Sequence, residues 1–179
     1  MLIPYQGILP KVPSSVFVAP GAMIIGDVEI GGNSSVWFNT VIRGDVHTIR
    51  IGSGTNLQDL SMLHVTRKDH PLRVGNDNTV GHRVILHGCT IGNGCLIGMG
   101  AVVMDGAVVE DGALIGAGSL VSEGMVIPAG MLAFGIPAKP KRPLTAEEKA
   151  FLILSAKNYI EDARNYLKEK NGWPSPIRG

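Results

Sequence analysis

One aliphatic residue returns at a fixed interval along most of the chain. It stands at Val18, Ile24, Ile30, Val36, Ile42, Ile51, Leu57, Leu63, Val74, Val80, Leu86, Ile91, Ile97, Val103, Val109, Ile115, Val121 and Ile127. Fourteen of the seventeen intervals are six residues, and the exceptions are nine (Ile42 to Ile51), eleven (Leu63 to Val74) and five (Leu86 to Ile91). Glycine often follows directly, as in Ile30-Gly31, Val74-Gly75 and Ile97-Gly98. A period of six fits neither a 3.6-residue helix nor an array of hairpins. It predicts a parallel β-helix in which each hexapeptide makes one short strand and one corner. Three hexapeptides close a triangular coil, and coils stack at the strand spacing of roughly 4.8 Å. The periodic residue faces inward and its successor outward. Eighteen such positions predict about six coils.

The predicted organisation is mainly β: an N-terminal cap segment over 1–17, the β-helix over 18–134, a turn-rich linker over 135–144 and a helix over 145–171. The linker is marked by Gly135-Ile136-Pro137-Ala138-Lys139-Pro140. The helix starts at Thr145, with Glu148 completing a capping box. Phe151, Leu152, Ser155, Tyr159, Ala163 and Tyr166 give it one less polar face, and Gly172 and Pro174 stop it. That face, its tyrosines included, suits docking on the β-helix wall.

Composition agrees with stacked small and aliphatic residues: aromatics are only 5% while Gly numbers 24. A net charge of +1 gives no reason to expect nucleic acid or an anionic membrane as partner. No apolar run approaches the roughly 20 residues that span a bilayer, and MLIPYQGILPKV lacks the pattern of a secretory signal, so a cytoplasmic protein is expected. Cys89 and Cys95 read as small buried residues.

The repeat also acts as a ruler. Ile42, Leu63 and Leu86 fall on one face in successive coils, so Arg43, His64 and His87 form one outward column. Adjacent rungs bring His64 and His87 close enough to share an ion. His82, two residues past Val80, falls on a different face with Asp59 in its column and Gln58 beside it. It cannot reach the same ion within its own chain, but a closed threefold ring would bring His82 of one copy to His64 and His87 of the next. The eleven-residue interval holds a loop, Thr66-Arg67-Lys68-Asp69-His70-Pro71, directly after His64. His70 on that loop and Tyr159 on the helix are candidate proton relays, whereas His47 has no such placement and reads as an ordinary solvated histidine.

These residues resemble the γ-class carbonic anhydrase family, and the hexapeptide coils resemble its left-handed β-helix. Arg43-Gly44-Asp45 is similar to the family's Arg-x-Asp pair, Asn56-x-Gln58-Asp59 with His64 to its Asn-x-Gln-Asp…His pattern, and His82 through His87 to its second metal element. The resemblance implies a homotrimer with one Zn²⁺ (or Fe²⁺) at each subunit interface, held by His64, His82 and His87. It further implies reversible hydration of CO₂ to bicarbonate by a metal-bound hydroxide that Gln58 orients. Asn56 and Asp59 would make supporting hydrogen bonds, and Arg43 and Asp45 would pair across the interface. The chain departs from prototype members in its short, basic-leaning loop after His64 and in Val46, where prototypes are acidic. Two other readings share the repeat: a CoA-dependent acyltransferase with one histidine as general base, and a noncatalytic trimeric scaffold that keeps a metal.

Overall fold

The structure, a computed structural model, describes residues 1–169 and is a parallel β-solenoid with one helix, α1 (Ala146–Glu169). The first face stacks Phe17–Val18, Ser35–Val36, Asn56–Leu57, Thr79–Val80, Leu96–Ile97, Leu114–Ile115 and Met131–Gly135. The second face begins in Met23–Ile30 and Val41–Ile51 and continues through Met62–His64, Ile85–His87, Val102–Val103 and Leu120–Val121. The third takes the far ends of those two long strands, then Leu72–Val74, Thr90–Ile91, Val108–Val109 and Val126–Ile127. Six full coils result, and Met131–Gly135 adds a seventh rung to the first face.

Register follows the periodic aliphatics: Ile42 pairs with Leu63, Leu63 with Leu86, and Leu86 with Val103. Their side chains are fully buried along the axis of the solenoid. Burying each such side chain stabilises by roughly 1.5–3 kcal/mol. The irregular intervals have distinct outcomes. The nine-residue interval becomes the eleven-residue strand Val41–Ile51. The eleven-residue interval leaves the loop after His64, closed by a bridge between Thr66 and His70. The five-residue interval tightens a corner at Gly88, whose φ is +52°.

The expected linker is structured. Ala138–Pro143 pairs antiparallel with Met131–Gly135. Pro140 and Pro143 argue against a strand, but this strand ends its sheet, where one side needs no donor. The capping box forms, with Thr145 Oγ1 accepting from the Glu148 N–H at 3.2 Å and Glu148 Oε2 accepting from the Thr145 N–H at 2.8 Å. The Arg142 guanidinium, hydrogen-bonded to Glu148, holds that carboxyl at about 2. The expected helix stop at Gly172 and Pro174 lies outside the described residues.

Helix α1 docks through aromatics. Phe17, Trp37 and Phe38 project from the first face to meet Tyr159 and Tyr166, with Trp37 5.3 Å from each tyrosine ring. Phe151, expected on the docking face, is exposed, and Ala156 is buried with Leu152 instead. Among the described residues no helix is long and apolar enough to cross a membrane.

Candidate metal centre

His64 and His87 end neighbouring strands of the second face and lie opposite one another in register. His64 Nδ1 and His87 Nε2 are 3.1 Å apart. Two nitrogens bound tetrahedrally to one Zn²⁺ at 2.0–2.1 Å stand about 3.3 Å apart, so little adjustment separates this pair from ligand geometry.

The far nitrogens settle the tautomers. His64 Nε2 is 3.1 Å from Asp45 Oδ1, and His87 Nδ1 is 2.7 Å from Asp105 Oδ1. Burial raises the pKa of both carboxyls, but hydrogen bonds outweigh it, from Arg43 and His64 on Asp45 and from Thr66 and His87 on Asp105, and both fall below the ordinary value. Both aspartates are therefore ionised at neutral pH and only accept, so the ring nitrogen facing each one carries its hydrogen. Burial also pushes the His64 pKa down, helped by Arg43 and His87 and opposed by Asp45. With their hydrogens on the far nitrogens, His64 Nδ1 and His87 Nε2 face each other across 3.1 Å. Two acceptors that close repel unless a proton or a cation lies between them. A borderline-soft divalent ion fits this donor set.

His82 has the same arrangement in a different place. Its Nδ1 is 2.8 Å from Asp59 Oδ2, which leaves Nε2 as the nitrogen that could bind an ion. All three histidines are thus backed by a carboxylate, the arrangement that fixes tautomer and aim in metal-ligating imidazoles. His82 sits before the corner that leads into Ile85–His87, whereas His87 ends that strand. The turn at His82 and Arg83, where Arg83 has φ 59°, lies between them and sets them on different faces. Among the described residues no three His, Cys, Asp or Glu side chains of one chain gather to hold an ion.

Gln58 is buried next to His82, and its orientation is dictated from behind. Asn56 Nδ2 donates to the Asn78 carbonyl at 3.1 Å and to Thr79 Oγ1 at 3.0 Å. A carbonyl can only accept, so Asn56 Oδ1 is turned to receive Gln58 Nε2 at 3.1 Å. Gln58 Oε1 is left as the outward acceptor. Thr79 meets Ser155 of α1 at 2.9 Å, which ties the docked helix to this network. A cavity of about 420 Å³ opens here, walled by Leu96, Leu114, Met99 and Phe151 with Gln58 and His82 at its polar end.

Other expected residues fall elsewhere. Arg43 pairs with Asp45 inside one chain. His70 packs over Gly106 beside Asp105. Tyr159 is docked on Trp37, and burial, with the charges of Asp59 and Asp162, raises its pKa. The His47 ring accepts the Thr48 N–H at 2.7 Å. Cys89 and Cys95 are buried, which pushes both thiols up, Cys95 to about 11. Nothing in the sequence singled out Asp105, which follows Met104 and precedes Gly106 as an ordinary corner residue and falls opposite Gly88, one place past His87.

A family model described as "Bacterial transferase hexapeptide (six repeats)" matches residues 88–123. Protein YrdA of Escherichia coli K12 is 48% identical over 177 residues, covering 96% of each chain. A carbonic anhydrase of Geobacillus kaustophilus is 45% identical over 166 residues, covering 93% of this chain and 91% of the relative. The chain belongs to the γ-class carbonic anhydrase-like family. A solved structure of a hexapeptide transferase family protein from Anaplasma phagocytophilum matches with a TM-score of 0.88 and 48% identity, over 93% of this chain and 98% of that one. The solenoid is accordingly the left-handed β-helix of this carbonic anhydrase-like family, whose members carry both anhydrase and transferase names.

Proposed function

We propose that the protein is a metal-dependent carbonic anhydrase that interconverts CO₂ and bicarbonate and works as a homotrimer with sites shared between neighbouring chains. The observation that carries this reading is the pair of carboxylate-anchored imidazoles whose near nitrogens face each other at 3.1 Å. His64 and His87 of one copy and His82 of the next would hold Zn²⁺ or Fe²⁺. Held there, such an ion would supply hydroxide at neutral pH by acidifying water.

The chain's own groups set up the rest. Asp45, Asp105 and Asp59 keep the ring hydrogens off the ligating nitrogens. Gln58 Oε1, fixed as an acceptor, takes the O–H of the nucleophile and turns a lone pair toward the carbon of CO₂. The apolar wall of Leu96, Leu114, Met99 and Phe151 suits a small neutral substrate better than a charged product.

Two features favour sharing between copies. Leu60 and Met99, each 58% exposed, flank His82 and present apolar surface there. The corner position after the first face is glycine at Gly100 and Gly118, yet at the two rungs around His82 it is Leu60 (φ 61°) and Arg83 (φ 59°). A left-handed conformation costs a branched or bulky residue on the order of 1–2 kcal/mol, which a contact in the assembly would offset. A closed threefold ring makes that contact self-limiting.

The test combines metal analysis of protein purified without oxygen with stopped-flow CO₂ hydration after loading with Zn²⁺ or Fe²⁺. About one ion per chain is expected, with hydration abolished by a chelator. Protein without affinity for either ion would overturn the reading. Full metal loading without hydration would favour the scaffold, and acetyl-CoA turnover without metal would favour the transferase.

A further inference from the structure

The loop after His64 departs from the hexapeptide repeat, and its imidazole, His70, packs over Gly106. What the loop does touch is Asp105. Thr66 Oγ1 donates to Asp105 Oδ2 at 2.6 Å, while Asp105 Oδ1 receives His87 Nδ1 at 2.7 Å. Both carboxylate oxygens are therefore committed, one to the loop and one to the histidine. The loop itself is closed by the Thr66 N–H donating to the His70 carbonyl at 3.2 Å.

The neighbouring backbone is shaped around this contact. A Cβ on Gly88 would lie 2.2 Å from Asp105 Oδ1 and 2.7 Å from the His70 Cβ. A Cβ on Gly106 would lie 3.3 Å from the His70 ring. Asp105 and His70 thus fill space that two glycines leave open. On the other ligand, Arg43 holds Asp45 from the strand itself. On His87 that holding function falls to a loop.

Resting on the metal reading above, we propose that the Thr66–His70 loop is a clamp that holds the Asp105 carboxylate on His87 Nδ1 and so sets the affinity of the shared site for its ion. Thr66 and Asp105 are positioning residues: neither touches the ion, and both act through the aim of the His87 ring. Removing the hydroxyl frees the carboxylate to rotate, and removing the carboxylate frees the ring.

The test is zinc affinity of the assembled protein, measured by competition with a chromophoric chelator, for wild type, Thr66→Val, Thr66→Ser, Asp105→Ala and His87→Ala. Asp105→Ala is expected to weaken binding roughly 10–100-fold and Thr66→Val about 10-fold, at unchanged oligomer size and unfolding midpoint. Thr66→Ser, which keeps the donor, is expected to bind as wild type. Should Thr66→Val fail to fold, Thr66→Ala takes its place; it removes the same hydroxyl, and the same loss is expected. Wild-type affinity in Thr66→Val and Asp105→Ala, with binding abolished in His87→Ala, would overturn the clamp and leave the metal site standing. A wild-type protein that binds no zinc would instead overturn the metal reading, and the clamp with it.

Discussion

Thr79→Val probes the link between helix docking and Gln58 without changing side-chain shape. Thr79 is buried, and its hydroxyl accepts from Asn56 Nδ2 at 3.0 Å and meets Ser155 at 2.9 Å. Valine fills the same space and makes neither bond. Asn56 keeps its bond to the Asn78 carbonyl at 3.1 Å, so one amide hydrogen, fully inside the protein, loses its acceptor. Leaving a buried donor unpaired costs about 1–3 kcal/mol. At this chain length that corresponds to a fall in Tm of roughly 3–10 °C. Ser155→Ala, at a less buried position, removes only the helix side of the network and is expected to cost less than about 1 kcal/mol. The assay is urea and thermal unfolding at fixed protein concentration, alongside kcat for CO₂ hydration. The amide of Asn56 is held less firmly in Thr79→Val, so kcat is expected to fall as well, though by less than on removing Gln58 itself. A Thr79→Val protein within about 0.5 kcal/mol of wild type would refute this view of the network.

Gln58→Ala is expected to retain the metal and lose about 10–100-fold in kcat, because the acceptor that orients the nucleophile is gone; stopped-flow hydration with matched metal analysis checks both halves. Acid should weaken the metal-free protein in two stages. His64 is held below its ordinary value, so the folded state resists a proton that the unfolded state accepts, and stability starts to fall as pH drops below about 6.5. Asp45 and Asp105 are also depressed, so their contribution is complete above the ordinary value near 3.9 and is lost as pH falls through their lowered values. Urea midpoints between pH 8 and pH 3 follow both stages, and a rise in stability on going from pH 7 to pH 5 would contradict the first.

The solenoid was legible because its axis admits one inward side chain per hexapeptide, and an aliphatic at each such place leaves a six-residue trace. The same trace placed Ile42, Leu63 and Leu86 in one column and so brought His64 to His87. Asp59 beneath His82 was also readable from register. Asp105 was not, because a corner aspartate before glycine recurs at Asp111-Gly112, and only the direction its carboxylate takes distinguishes the two. The strand Ala138–Pro143 was hidden by its prolines, which a terminal strand tolerates and an inner one does not. Phe151 was assigned to the docking face from helical spacing alone, whereas the aromatic cluster around Trp37 takes the helix face that carries Tyr159, Ala163 and Tyr166.

The central claim is that one site is built from two chains, and mixed trimers test it most directly. His82→Ala chains and His64→Ala chains each lack a ligand, so neither homotrimer should bind metal or hydrate CO₂. In a trimer of both kinds, one interface pairs an intact His82 with an intact His64 and His87. Random assembly of equal amounts makes about three quarters of the trimers mixed, with one whole site among three, or about one quarter of an ion per chain. The account predicts that metal content from co-expression, with CO₂ hydration returning in proportion. Metal-free, inactive mixed trimers would contradict it.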